Sequence, residues 1–560
     1  MTTTGRSRIE NWHIAAAIGV LAFGFRLINV RDLPNDHYMH LAWAQQLLFG
    51  ELPGRDFVDP GMPLTYLISA LVQMISPGPF SEAVACCIML ALAAAATFFV
   101  ATGMTGSVAA GIGAALVEVA LYPRLYSYPK ILVPAVALLV IQRYLRRPDR
   151  LSLVLMALWT GAAVLLRHDL GVYAAAGCGA ALVWRHRDNR VECARAIGLY
   201  AAAVIVVMLP YVVFVQWSEG LTEHFHEAVE FARGEAHQRF LAPPPFPFLG
   251  TGQGFAAWSE DDSAVLLFYV AHLAAVAALL LLVTSKARAP VVAAALAMLV
   301  LYLAVVLRHP IVSRIQDVAA LLAIVGAWEV VESSRRGAIT SAIAVAVAVV
   351  SVAGIWHLGS LTERVRDTRV ADGVGTMART IEGVAETGTQ WPWQRFWPAG
   401  EMPDAVRYLN ACTNREDAVL LTWAAPEYYF FARRRFGAGH ALFLPPDAFT
   451  TAHDQELMLA RMRRQRVPIV LINETRRKEF ADAYGEVDRY LQQEYMAAGH
   501  FQIREGSDVT VAVRRDAKPE RTYGAERWPC GFDNRAASKT ASIMLDGSAI
   551  PLPAMSNAVP

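Results

Sequence analysis

Long apolar runs separated by short polar loops dominate the first 360 residues. Runs of membrane-crossing character begin near Trp12, Glu82, Ser107, Pro129, Leu151, Leu170, Ala196, Ala264, Pro290, Ile311 and Ala338. A spanning helix takes about 20 apolar residues, with shorter ones tolerated, so this pattern predicts about 11 spans. The first run is longer than a signal-peptide core and lacks a small-residue cleavage site, so it reads as a retained helix. Met62–Ile75 is apolar but short and flanked by prolines, which suits a re-entrant or interfacial helix. His37–Gly50 reads as a helix on the membrane surface. Its Leu41, Ala44, Leu47 and Leu48 recur at helical spacing, and Gly50, Pro53 and Gly54 end it.

The pattern changes near Asp367, beyond which no run is long enough to span. Ala418–Trp423, Val467–Ile472 and Asp508–Arg514 are short runs of strand formers. Pro403–Asn410 and Ala425–Arg435 read as helices beside the first of them. Alternating strands and helices imply a small α/β domain. No glycine-rich phosphate loop follows a strand, so a nucleotide-binding module is not expected. From about Lys518 the chain is rich in Pro, Ser, Asn and Ala and reads as a poorly ordered tail. The expected architecture is a polytopic α-helical membrane domain (1–360), a soluble α/β domain (361–517) and a tail (518–560).

Composition agrees with this division. Hydrophobic residues make up 55% of the 560, too apolar for a soluble protein of this size. The net charge of +1 gives no reason to expect a nucleic-acid partner. The basic loops Arg143–Arg150, Arg185–Arg190, Ser285–Arg288 and Ser333–Arg336 belong in the cytoplasm by the positive-inside rule. Alternate counting then puts the N-terminus inside. It puts Tyr122–Lys130, Arg167–Asp169, Trp217–Asp262, Arg308–Pro310 and everything after about Trp356 outside. Of the six cysteines, only Cys412 and Cys530 could meet in an oxidising compartment; no disulfide framework and no zinc or iron–sulfur spacing is expected.

That outer face collects an unusual set of polar residues. Asp36, Asp56 and Asp59 lie in the first outer loop. Arg124, Tyr126, Tyr128 and Lys130 follow in the second, then Arg167, His168 and Asp169, then Arg308, His309 and Arg314. Cations kept at the edge of hydrocarbon usually face a cavity or pair with something. An anion such as a lipid phosphate fits them, since Arg forks bind phosphate bidentately. Plainer roles stand beside that one. Arg124 and Lys130 could snorkel to headgroups, and Arg167 could pair with Asp169. Tyr126 and Tyr128 could belong to the interfacial belt. Asp317, inside an apolar run, calls for a partner on a neighbouring helix. His224, His226, Glu227, Glu230 and His237 form a weak candidate for a metal site in the long outer loop.

A carboxylate just outside the first span, a surface helix, then Gly-Glu-Leu-Pro-Gly-Arg-Asp-Phe57 and Pro-Gly-Met-Pro-Leu-Thr-Tyr66 together resemble the first outer loop of GT-C membrane glycosyltransferases. The protein O-mannosyltransferase and aminoarabinose-transferase branch is the nearest in style. The resemblance covers about the first 360 residues, and the α/β domain is similar to the periplasmic appendages of bacterial members. It implies a multi-pass protein of the bacterial inner membrane with a periplasmic C-terminal domain. It also implies a polyprenyl-phosphate sugar donor and a glycan, lipid or protein acceptor. Asp36 would be the general base, with Asp59 or Asp56 assisting. Arg124, Lys130, Arg167, Arg308 and Arg314 would hold the donor phosphate; His37, Tyr126, Tyr128, His168 and His309 would contact substrate. The mannosyltransferases carry Asp-Glu where this chain has Asp36-His37, which leaves the second acid's role open. No cofactor is expected; some relatives use a divalent metal, which stays open here although no ligand spacing marks one. The rival reading is a transporter or flippase for a lipid-linked anion, which would use the same cations without chemistry. Such proteins usually show internal pseudo-symmetry, and no repeat is found in this sequence.

The charge count makes a direct prediction. A reporter active only outside the cytoplasm should work when fused after Gly359 and be silent when fused near Arg187. The opposite pattern would overturn the orientation of every loop.

Overall fold

The computed structural model describes residues 3–30, 33, 35–59, 61–226, 229, 244, 258–284, 289–305, 311–390, 404–441, 443, 450–503, 507–525 and 527–532. Described residues up to 390 form one compact unit and those from 404 onward form a second.

Every predicted apolar run of the first unit contains a helix. The helices are α1 (Thr3–Ile28), α2 (Asn35–Leu48), α3 (Pro63–Ile75), α4 (Pro79–Thr105), α5 (Val108–Ala120), α6 (Tyr128–Arg146) and α7 (Arg150–Leu166). They continue with α8 (His168–His186), α9 (Arg190–Ser218), α10 (Glu260–Thr284), α11 (Pro290–Val305), α12 (Ala319–Arg336) and α13 (Ala338–Leu358). Among the described residues, α1, α4, α6, α9, α10 and α13 are long and apolar enough to cross a membrane. Only 6% of the apolar stretch of α9 and 11% of that of α13 is buried within the protein. Ile205, Val206 and Leu209 on α9 and Val347, Val349 and Val350 on α13 are exposed. Continuous apolar surface on that scale belongs against lipid rather than water. The unit is therefore a polytopic helical membrane fold.

Small residues let the inner helices approach closely. Ala15 and Ala22 of α1, Ala94 of α4 and Ala115 of α5 close around Ile18 and Phe98. In a bilayer such close contact supplies packing that lipid tails cannot match. Helix α5 has 13 residues. At 1.5 Å rise per residue it is about 20 Å long, short of the hydrocarbon thickness.

Three local differences from the sequence pattern bear on function. Helix α2 begins at Asn35, so Asp36 lies in its first turn rather than ahead of it. The run expected to become helical at Ile311 forms two 3-10 turns, Ile311–Ser313 and Ile315–Val318, before α12 starts at Ala319. Arg314, expected just inside a helix, stands between those turns. The polar residues Arg314, Gln316 and Asp317 sit too close together for a lipid-facing helix, and irregular backbone is tolerated there only where it lines a cavity or is buried in protein. The third difference is Pro134 inside α6. Proline lacks the N–H that would reach the carbonyl four residues earlier, which belongs to Lys130. The Tyr302 hydroxyl of α11 donates to that carbonyl at 3.0 Å and replaces the missing bond.

The second unit is α/β. Its five-stranded sheet has the order β2-β1-β3-β5-β4, with β1 Ala418–Leu421, β2 Arg435–Phe436, β3 Ile469–Asn473, β4 Tyr495–Ile503 and β5 Ser507–Arg514. Strands β1, β2 and β3 run parallel, while β5 is antiparallel to β3 and β4. Strands β1 and β3 are buried along their whole length, which is why they read as unbroken apolar runs. Strands β2 and β4 were not anticipated.

The tail expected from about Lys518 is corrected over its described part, while 533–560 lie outside the described residues. Pro519–Tyr523 and Trp528–Phe532 form an antiparallel hairpin, β6 and β7. Trp528, Cys530 and Phe532 alternate toward the interior. Cys530 is disulfide-bonded to Cys412, at the end of helix Asp404–Cys412. The Tyr408 hydroxyl donates to Pro529 O at 2.7 Å, and Arg521 donates to Ala411 O at 2.6 Å. The described part of the α/β domain thus ends at Phe532, not near 517. The disulfide closes a separation of 118 residues. Removing it with Cys412→Ala/Cys530→Ala should lower the stability of this unit by about 2–5 kcal/mol, read from its unfolding midpoint against wild type.

Candidate functional site

A cavity of about 150 Å³ lies in the first unit. Its wall includes Asp36 and His40 of α2, Tyr126 from the turn before α6, Lys130 of α6, Arg167 between α7 and α8, and Arg314. These residues are separated by up to 278 positions, and the helices deliver them to one place.

Each element arrives for a local reason. Thr65 of α3 donates to Leu166 O at 2.6 Å and fixes the end of α7 just before Arg167. Gly61 takes φ +75° and accepts the His168 N–H at 3.1 Å. A side chain at Gly61 would come within 2.9 Å of His168 Nδ1, so the close approach requires glycine. Asp36 lies on the first turn of α2, where the helix dipole favours an anion.

The cations are not equivalent. Lys130 is buried and its Nζ lies 2.5 Å from Asp317 Oδ2, a carboxylate that is itself buried. Arg124 reaches the same carboxylate at 3.9 Å and covers the Tyr126 ring at 4.5 Å. Arg167 forms a forked pair with Asp169. Arg314 Nε is buried with no hydrogen-bond partner among the described residues. Four basic groups, Arg124, Lys130, Arg167 and Arg314, therefore stand with three carboxylates, Asp36, Asp169 and Asp317, at or beside the cavity. His40 adds no positive charge. Burial, then the neighbouring His37, Arg167 and Lys130, pull its pKa down to about 3.

The other expected site residues go elsewhere. His37 is buried and not part of the cavity wall, 3.3 Å from Glu82 of α4 and with its ring centre 5.8 Å from that of His40. Tyr128 is fully buried in the core, with the Arg26 guanidinium 5.7 Å from its ring centre. Asp56 holds its own loop: its carboxylate accepts from Leu52 N at 2.9 Å and pairs with Arg55. Asp59 accepts from Gly61 N at 2.9 Å and from the Tyr211 hydroxyl at 3.2 Å. Burial raises its carboxyl above the ordinary range, against the opposing pull of these donors and of His224 and His168. His168 lies beside it, 3.3 Å from the Tyr211 hydroxyl, and is not part of the cavity wall. Arg308, His309, Glu227, Glu230 and His237 fall outside the described residues.

His40 is the site residue that sequence reasoning missed. Its signal was present: it is four residues after Asp36, one helical turn along the same face.

No family model matches this sequence, and neither does any curated protein. Among solved structures, the chain is similar to the crystal structure of ArnT from Cupriavidus metallidurans bound to undecaprenyl phosphate. The two share 14% identity over 92% of this chain and 99% of that one, with a TM-score of 0.47.

The Lys130–Asp317 pair predicts a diagnostic pattern. Asp317→Asn should destabilise the protein by about 3–5 kcal/mol, because it leaves a buried cation without its counter-charge. The double variant Lys130→Met/Asp317→Asn should lose less than Asp317→Asn alone. Thermal unfolding in detergent checks the order; a double variant worse than the single would show that the pair is not coupled.

Proposed function

We propose that this chain is a membrane glycosyltransferase of the GT-C type. It moves one sugar from a polyprenyl-phosphate carrier to an acceptor on the outer face of the bacterial inner membrane. The observation that carries this reading is the cavity, where an exposed carboxylate, Asp36, shares one wall with Lys130, Arg167 and Arg314. An acceptor hydroxyl is a poor nucleophile, and Asp36 takes its proton as the bond to the sugar forms. The bond between sugar and phosphate breaks, and charge grows on the departing phosphate. Arg314, whose Nε lacks a hydrogen-bond partner among the described residues, is the first candidate to meet that charge, with Arg124 beside it. Lys130 and Arg167 keep the surrounding field positive while remaining tied to their own acids. Neutral His40 offers a hydrogen bond without competing for the anion. In this reading Asp59, held by Gly61 N and the Tyr211 hydroxyl, assists the acceptor rather than the phosphate.

The outer-face assignment draws support from the Cys412–Cys530 disulfide. Such bonds persist mainly in oxidising compartments. Alternate counting from the basic loops places that domain on the same side.

The test is turnover of a labelled polyprenyl-phosphate sugar by purified protein. Asp36→Asn should reduce turnover by roughly 10²–10⁴-fold while leaving membrane insertion intact. Arg314→Ala should weaken donor binding by on the order of 1.5–3 kcal/mol. Arg147→Ala, in a basic loop expected in the cytoplasm, should change neither quantity. Near-normal turnover by Asp36→Asn would remove it from the mechanism. Carrier movement across vesicles with no sugar transfer would instead favour a lipid-anion flippase.

A further inference from the structure

A second group of chemically capable side chains lies in the membrane unit apart from the cavity. His37 of α2 and Glu82 and Cys86 of α4 are all buried, and their ligand atoms lie within 4.8 Å of one another. We propose that these three residues form a binding site for a divalent transition metal of the zinc type.

The donor set argues for that class. Imidazole, carboxylate and thiolate are the three side-chain ligands zinc uses, and a thiolate discriminates against magnesium and calcium. Glu82 and Cys86 are four residues apart, so one face of α4 presents both. Tetrahedral zinc with bonds of roughly 2.0–2.3 Å spaces its ligand atoms about 3.3–3.8 Å apart. His37 Nε2 and Glu82 Oε1 are already 3.3 Å apart, and small side-chain rotations would bring in the sulfur.

Two further observations point to a ligand. Both ring nitrogens of His37, which is 0% exposed, lack a hydrogen-bond partner among the described residues. Glu82 Oε2 is buried and equally unsatisfied, while Oε1 accepts from the Ser69 hydroxyl at 2.7 Å. Ser69 thus orients the carboxylate from behind, the usual role of an outer-shell partner. Charge balance agrees. When the metal binds, the Cys86 thiol gives its proton to water, and a dication then meets one thiolate, one carboxylate and a neutral imidazole. That assembly is neutral, as burial favours. The rival arrangement, a protonated His37 paired with Glu82, leaves a buried N–H without an acceptor and Cys86 without a role. Arg26 reaches the same layer, but its guanidinium stacks on the Tyr122 ring at 3.6 Å.

The consequence is positional. A metal here would pin the start of α2 to α4 at the residue next to Asp36. The proposal itself does not depend on the transferase reading, since metal uptake is measured without substrate.

The experiment uses the untagged full-length chain in detergent. Metal analysis after exposure to zinc should give one equivalent, and cobalt(II) should produce a thiolate-to-metal charge-transfer band. Cys86→Ser should abolish that band. Cys87→Ser, the adjacent buried cysteine outside the set, should retain it. Ser69→Ala should keep the band but weaken metal affinity by roughly 10–100-fold. A wild-type chain that takes up neither metal overturns the assignment. So does a Cys86→Ser chain with band and affinity intact, or loss of the band in Cys87→Ser.

Discussion

Lys130 carries its charge inside the protein, and Asp317 makes that tolerable. An unpaired ion in such a place costs several kcal/mol, and the cost is offset only by a close partner in good geometry. Lys130 lies in the first turn of α6 and Asp317 in the turn just before α12, so the pair locks the starts of two helices together. Tyr302 adds a third helix by satisfying the carbonyl that Pro134 orphans on the same lysine. The backbone before α12 stays irregular, which leaves Arg314 three residues from Asp317 and facing the cavity. The pair therefore also determines which cation remains available: Lys130 is committed, and Arg314 Nε is not.

The carboxylates divide in the same way. Asp56 is consumed by its own loop, and Asp59 is buried among donors that hold it in place. Asp169 is forked by Arg167, and Asp317 serves Lys130 and Arg124. Among the described residues, Asp36 is the one carboxylate on the cavity wall, and it is solvent-exposed. For a base that must lose and regain a proton, exposure beside a positive wall suits better than a locked ion pair.

Much of this was legible in the sequence, because hydrophobic periodicity and charge spacing are local signals. The apolar runs marked the helices, and Pro63 and Pro79 bracketed the short helix α3. The convergence of Asp36, Tyr126, Lys130, Arg167 and Arg314 followed from placing them on one face of the membrane. What failed depended on partners far along the chain. Tyr128 and Tyr126 are two residues apart, yet one is core and the other wall, a difference set by a 3-10 turn that leaves no strong pattern. His37 turned inward, to within 3.3 Å of Glu82, which lies 45 positions away in sequence. The final hairpin was hidden by its Pro, Gly and charged residues. Only the alternation of Trp528, Cys530 and Phe532 hinted at it, although Cys412 and Cys530 were already the pair that could meet in an oxidising compartment, and they do.

The size of the cavity bears on how the proposed reaction would be organised. At about 150 Å³ it falls below the roughly 300–1,000 Å³ typical of pockets that enclose a whole small ligand. A lipid-linked donor does not need such enclosure. Its hydrocarbon can remain in the bilayer, and its sugar and acceptor can approach from the aqueous side. The protein then has to grip only the phosphate and the reacting atoms, which takes a few fixed charges rather than a deep pocket. Fixed charges at the edge of hydrocarbon are costly, and the acids Asp169 and Asp317 reduce that cost while leaving the cations in excess. A near-balanced wall of this kind would attract a phosphate without holding it so tightly that the spent carrier fails to leave.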